Sequence, residues 1–278
     1  MPRVAFVMVV FNGDAVLREC LQSILPFGDV FVCEGPVDFF VRNGATISTD
    51  NTNTILHEML PNNHIIHGQW GEKSEMMNAL SHLIPDEVSH LFMVDADEVH
   101  YPENITAIIS HLDDYDSMAM KPWTFFGSFT RVLSGFEEQF IWYRVQRWYP
   151  GATWEHRPPT VASPDGSPWR EHRHWDSGLR FAHYSYVFAK SVKAKSEYYA
   201  TRSDCIPAYF QDVWLRWVLG NDLTKQIIEA EHDGVHEWGK ERRGACRTIP
   251  FTDKHPDIIK QSMPKLKERF ERELAKYR

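Results

Sequence analysis

Apolar residues follow two rhythms along this chain. Val4 to Val10 is an unbroken apolar run, the pattern of a strand covered on both faces, and Asn12-Gly13-Asp14 ends it. Leu17, Cys20, Leu21 and Ile24 then recur at helical spacing, with Asp14 placed as the N-cap and Pro26 to Gly28 closing the helix. Val30 to Cys33 reads as a second strand, ending at Glu34-Gly35. A helix with Ile55, Leu56 and Met59 turned inward is expected after Ser48-Thr49-Asp50-Asn51-Thr52. His64 to His67 is a short third strand, and Met76, Met77, Leu80 and Leu83 mark the next helix. His90 to Val94 is a fourth strand that runs directly into Asp95-Ala96-Asp97-Glu98. Strands alternating with helices predict an α/β fold with a mostly parallel sheet.

Beyond Pro102 the rhythm changes. A helix to His111 gives way to aromatic, strand-like stretches at Met118 to Trp123, Phe140 to Trp148 and Leu179 to Phe188, separated by Pro158-Pro159, Pro164-Asp165-Gly166 and Pro168. From Pro207 helical spacing returns with Phe210, Val213, Trp214 and Trp217. Asp257 to Arg278 carries an apolar stripe of Ile259, Met263, Leu266, Phe270, Leu274 and Tyr277. The pattern divides the chain into residues 1–100, a mixed half at 101–205 and a helical extension at 206–278.

Composition narrows the function classes. The chain has 278 residues, enough for a sizeable core, and its net charge of -8 disfavours duplex nucleic acid as a partner, since phosphates demand a basic surface. Four widely spaced cysteines suggest neither a zinc site nor a disulfide framework, and a reducing, cytoplasmic setting fits them. No stretch reaches transmembrane length. Residues 253–278 hold eight Lys or Arg against five Asp or Glu, so this stripe suits either a peripheral contact with an anionic membrane or packing onto its own domain.

Chemistry concentrates at Asp95 and Asp97. In an open α/β sheet ligands bind beyond the carboxyl ends of the strands, where these carboxylates and Glu34 lie. Two carboxylates one residue apart on a strand face the same side, so both could hold one hard cation against a diphosphate. Taken alone, the same motif is a solvated acidic turn; its place after the fourth strand of a βαβα series favours the cation.

With these residues the first 100 positions resemble the GT-A (Rossmann-like) glycosyltransferases, and within them glycosyltransferase family 2. Phe11-Asn12-Gly13-Asp14 matches the polar turn after the family's first strand, and Glu34 the acidic residue that ends its second. The family's Gly-Ser-x-Asp-x-Thr turn is matched only by Ser48 to Thr52, after an intervening stretch at 36–47. Lys73 and Met77-Asn78 stand where the family has a basic residue and an Arg-Asn pair, so the arginine is missing. The resemblance implies a nucleotide-sugar-binding half at 1–100, an acceptor-side half at 101–205, and Mn2+ or Mg2+ as cofactor. It places Phe11 and Glu34 around the nucleoside, Lys73 near the donor, Asp95 on ribose or metal, and Asp97 on the metal. It implies a hexosyltransferase-like enzyme taking a nucleoside-diphosphate sugar, with UDP-sugars the commonest expectation, and a carbohydrate or glycan acceptor, with inversion as the usual outcome.

Further ligands come from the second half. His183, in Phe181-Ala182-His183-Tyr184-Ser185-Tyr186, is the candidate third metal ligand, imidazole being accepted by Mn2+ more readily than by Mg2+. Lys190, Lys193 and Lys195 follow, and Lys193 is placed near the departing diphosphate. Inversion needs a carboxylate to take the acceptor proton. Glu155, in Trp154-Glu155-His156, is the first choice and Asp176 the second. Trp123, Trp148, Trp154 and Trp175 offer faces for core packing or sugar stacking. Two rivals stand beside the transferase. A sugar-phosphate nucleotidyltransferase would have a glycine-rich loop where this chain has only Gly13, and a non-catalytic carbohydrate-binding protein would be expected to have lost the paired aspartates. No HExxH motif supports a metal-dependent hydrolase.

Overall fold

β1 (Val4–Val10) organises the first part of the computed structural model, which describes residues 3–155, 160–167, 171–201, 205–238 and 245–278. After it come α1 (Leu17–Ile24), β2 (Val30–Glu34), α2 (Asp38–Arg42), α3 (Thr52–Met59), β3 (Ile65–His67), α4 (Lys73–Leu80) and β4 (His90–Met93). β5 (Glu98–Val99), α5 (Pro102–Ser110), β6 (Ser117–Phe126), β7 (Arg131–Leu133), α6 (Phe136–Gln139) and β8 (Trp142–Arg147) follow. Then come β9 (Trp154–Glu155), β10 (Thr160–Val161), β11 (His174–Tyr186), α7 (Ala189–Tyr199) and a π-helical segment (Phe210–Leu215). α8 (Arg216–Leu219), α9 (Asp222–Glu231), β12 (Thr248–Pro250) and α10 (Asp257–Leu274) complete the order. His156, Pro158-Pro159 and Pro168 lie outside the described residues.

Contacts gather the chain into two units: Met1–Met120 with Ile141–Phe181, and Lys121–Phe140 with Ala182–Arg278. The boundaries therefore fall inside or beside strands, whereas the sequence pattern put divisions at 100 and 205.

In the first unit the strand order is β3-β2-β1-β4-β8-β6. β1 lies parallel to β2 and β4, and β2 to β3, as the alternating pattern predicts. β8 then runs antiparallel to both β4 and β6. Every residue of β1 except Val9 is buried, which is why its run is apolar rather than alternating. Phe6 stacks on Phe92 across the β1–β4 pair at 5.1 Å between centroids, and Leu17, Cys20, Leu21 and Ile24 of α1 are fully buried. The expected Asp14 cap is corrected. The N-cap of α1 is Val16, with no side-chain bond, because the Asp14 carboxylate instead accepts from Asn51.

In the second unit β12-β7-β6 form antiparallel pairs. A core of Phe126, Tyr186, Tyr209, Trp214, Trp217 and Ile228 is closed by Leu274, with Phe270 and Tyr277 packed against it. Half of the expected stripe, Phe270, Leu274 and Tyr277, is thus used within its own unit. Trp214 is locked by its indole N–H donating to the Tyr186 carbonyl at 2.8 Å. Among the described residues no helix is long and apolar enough to cross a membrane.

Candidate functional site

The carboxyl ends of β1 and β2 carry a ledge of two polar loops stitched together. Asn12 N–H donates to Ser48 Oγ (2.8 Å) and its side-chain oxygen accepts from Thr49 N–H (2.8 Å). Gly13 N–H donates to Thr52 Oγ1 (2.9 Å), and Asp14 Oδ2 accepts from the backbone and side chain of Asn51. Asn12 holds a φ of +49°, the left-handed region that Asn tolerates better than most residues. The ledge thus recovers the polar turn after β1 and the Ser48 to Thr52 turn as one structure, despite the stretch between them. That stretch forms α2, whose Phe40 packs on the half-buried Phe11 at 5.0 Å.

Glu34 lies under the ledge. Its side chain is fully buried; Oε1 accepts from Ser48 N–H (3.0 Å) and His67 Nδ1 lies 2.9 Å from Oε2. The next residue, Gly35, has φ +140°, and a Cβ there would stand 1.9 Å from the Gly68 carbonyl oxygen. Only glycine lets the chain leave β2 this close to the segment after β3.

Beside the ledge is an acidic corner. Strand alternation was expected to aim Asp95 and Asp97 to one side, but the strand ends before them and a turn carries the pair. β4 stops at Met93, and Glu98 N–H donates to the Asp95 carbonyl (3.0 Å), so a tight turn sets the carboxylates. Asp95 and Asp97 are half-buried, while Glu98 and His100 are fully buried. Gly13 joins ledge to corner: a Cβ there would meet Val10 Cγ2 at 2.5 Å and Ala96 Cβ at 3.2 Å.

Arg144 of β8 is the residue that sequence reading missed. Its buried guanidinium bonds Asp95 Oδ2 at 2.8 Å and also pairs with Glu98. It lies over the rings of Trp142 (4.3 Å) and Phe181 (5.4 Å). Burial pushes the guanidinium below its ordinary value, and Asp95 and Asp97 oppose that shift. The available signal was an arginine two residues from a tryptophan in a strand-like stretch, which places both on one face, and an arginine buried there demands a carboxylate partner.

Two neighbours of the corner are held neutral. Burial holds the His100 imidazole down to about 3. Burial, then Asp97 and Asp95, pushes the Cys20 thiol well up, and its Sγ lies 3.6 Å from the Asp95 carbonyl oxygen.

Among the described residues no three His, Cys, Asp or Glu side chains form one cation-binding group. The donors at the corner do suit a hard divalent ion: two half-buried carboxylates, of which Asp95 meets Arg144 through Oδ2.

The other candidates in this unit are dispersed. Lys73 begins α4, half-buried. From the same helix Asn78 clamps the backbone of Trp154 at 2.7 and 3.0 Å, fixing β9 and hence Glu155, which is exposed. Asp176, on β11, is exposed and accepts from Gly178 N–H at 3.3 Å. Trp148 and Trp154 are buried 6.3 Å apart and act as core, and Trp175 stacks on Tyr115 at 5.7 Å. A groove of about 660 Å³ lies at the amino end of β1, lined by Arg3, Asp29 and His64, on the edge opposite to the carboxylates.

His183 and Lys193 belong to the second unit. His183 is buried, with Nδ1 3.2 Å from Thr124 Oγ1, which donates to Glu137 at 3.1 Å. Lys193 is half exposed on α7 and 4.0 Å from Glu197. Lys195 is the lysine turned inward, bonding Ser185 at 2.8 Å, lying 3.4 Å from Glu237, and sitting 4.2 Å over the Tyr186 ring. The same unit places His236 Nε2 3.6 Å from Glu137 and 3.3 Å from the Tyr186 hydroxyl.

A model of glycosyl transferase family 2 matches residues 5–154, more than half of the 278 residues. A structure of S. aureus TarS 1-349 in complex with UDP-GlcNAc is 12% identical over 78% of this chain and 71% of that one, with a TM-score of 0.39. Another structure of the same TarS fragment is 16% identical over 44% of this chain, with a TM-score of 0.33, and the match spans only 36% of its length. A 4-diphosphocytidyl-2C-methyl-D-erythritol synthase from Anaerococcus prevotii DSM 20548 is 8% identical over 54% and 68%, with a TM-score of 0.31. Scores this low say nothing about the site. No curated protein sequence matches the chain.

Proposed function

This chain belongs to glycosyltransferase family 2, and on that premise we propose that it moves a sugar from a nucleoside-diphosphate sugar to a hydroxyl of a carbohydrate acceptor. A UDP-sugar is the first donor to test, and inversion the expected outcome. The observation that supports the reading best is the junction at Gly13, where the stitched ledge meets two half-buried carboxylates beyond the carboxyl end of β4.

In this reading Phe11 offers its ring to the base, Glu34 holds the ledge from beneath, and Lys73 stands toward the donor. Asp95 and Asp97 would hold Mn2+ or Mg2+, which when bound neutralises charge on the leaving diphosphate. Arg144 keeps Asp95 in place with or without the ion. Lys193 supplies further positive charge to the departing group. The acceptor oxygen attacks the anomeric carbon as the bond to the diphosphate breaks, and its proton passes to Glu155, or to Asp176 if Glu155 is not the base.

A panel of UDP-, GDP- and CMP-sugars, assayed for transfer and hydrolysis with Mn2+ and with EDTA, tests this on the intact chain and on Asp97→Ala. We expect EDTA and the substitution each to lower kcat/KM by about a hundredfold or more, the scale of losing a preorganised charge contact. Turnover indifferent to both removes the cation from the proposal. No turnover or binding with any donor removes the transferase itself.

A further inference from the structure

His67 has no part in the roles proposed so far, yet among the described residues it is the side chain that meets the second oxygen of the buried Glu34 carboxylate. Parallel pairing sets this up: Glu34 ends β2 opposite Val10 of β1 on one side and His67 of β3 on the other. A buried carboxylate without hydrogen bonds is costly, and an ionised one only accepts. With Oε1 taken by Ser48 N–H, Oε2 must be met by a donor, and His67 Nδ1–H is that donor. Glu34 has no exposed surface with which to reach a ligand, while the His67 side chain is 36% exposed. From Glu34 the path runs through Ser48, whose hydroxyl accepts from Asn12 N–H, to the ledge residue held at positive φ.

We propose that His67 is a positioning residue for donor binding. By anchoring Glu34 it fixes Ser48, and through Ser48 it fixes the backbone of Asn12 and Gly13 where the nucleoside diphosphate would lie. The proposal rests on the transferase reading and gives that site a control point outside its own surface. Its effect falls on donor affinity and not on the chemical step, because His67 touches only the support of the ledge.

The test is donor KM and kcat, with UDP binding by calorimetry in the presence of Mn2+, for His67→Ala, His67→Asn and Ser48→Ala. Asn places an amide N–H near the position of Nδ1–H. His67→Ala is expected to raise donor KM and the Kd for UDP about tenfold, the scale of one lost hydrogen bond to a charged group, with kcat within twofold. His67→Asn should return to within about threefold of the intact chain, and Ser48→Ala should shift KM in the same direction. The double variant should lose less than the product of the single losses, since both lie on one path. Unchanged KM in His67→Ala, equal loss in His67→Asn, or a fall in kcat alone overturns the proposal. If His67→Ala does not fold, Ser48→Ala decides, and unchanged donor affinity there overturns it. An intact chain that binds none of UDP, GDP and CMP overturns the transferase reading and this proposal together; one that binds its nucleotide no more tightly than the variants overturns this proposal alone.

Discussion

The acidic corner of the first unit and the polar network of the second both bury carboxylates beside a single long cation, yet they are built to opposite ends. In the corner, one nitrogen of Arg144, Nη2, reaches both Glu98 and Asp95, and Asp95 keeps a third of its side chain exposed. In the network, Glu137 and Glu237 are nearly fully buried with His236, and Lys195 supplies a point charge to Glu237. The planar guanidinium fixes the directions of its N–H groups and so the orientation of the carboxylates it meets, whereas an ammonium rotates freely. The contrast teaches that buried charge alone does not mark a ligand site. What distinguishes the corner is a pair of carboxylates left at its rim after the inner one has been neutralised.

Removing the cations should separate the two most sharply. Arg144→Met leaves Glu98 buried without its guanidinium, and an uncompensated buried charge costs about 3–5 kcal/mol. Chemical denaturation should show a loss of that order, and adding Glu98→Gln should recover most of it. Lys195→Met should cost less, about 1–3 kcal/mol, because Glu237 can take up a proton once its partner is gone. Equal losses in the two variants would erase the distinction between planar guanidinium and point charge.

How far the sequence disclosed these two regions follows from what each rests on. β1 to β4 and the helices between them were legible because continuous apolar runs and helical spacing are local signals, and the parallel order follows from their alternation. The paired aspartates were legible for the same reason, since they follow a buried strand. Arg144 was not, because its meaning depends on β8 lying antiparallel beside β4, a pairing between segments about fifty residues apart in sequence. The Asp14 cap failed by similar logic: distant donors, the backbone and side-chain N–H groups of Asn51, outcompeted the helix end. The network of Glu137, His183, His236 and Glu237 collects side chains from three separate segments, and no spacing rule reaches across such distances.

Acidity should pull the two regions apart in opposite directions. His100, beside the corner, has its folded value lowered by burial from 6.5 to about 3. The unfolded chain therefore binds the proton first, so stability is full above 6.5 and falls as pH drops toward 3, by up to a few kcal/mol. Glu237 is the reverse: burial raises it above 4.5 despite the pull of Lys195. Its stabilising contribution is full below 4.5 and declines as pH rises through the raised value. Melting temperatures across this range should lose their acid slope in His100→Phe and their slope above 4.5 in Glu237→Gln. If either substitution leaves its slope unchanged, that group is not the one responsible.

The smallest structural effect carries the cleanest functional reading. Lys193 is half exposed and its ion pair with Glu197 spans 4.0 Å, a surface contact screened by water and salt. Lys193→Ala should therefore change stability by less than about 0.5 kcal/mol. A change in turnover cannot then be charged to the fold, as it can for Arg144. A tenfold or greater fall in kcat at unchanged melting temperature would support positive charge at the leaving diphosphate, since losing about 1.4 kcal/mol from the transition state gives that factor. Unchanged kcat would move the role away from Lys193 and leave Lys195, the inward lysine of α7, within the buried network where its bonds to Ser185 and Glu237 place it.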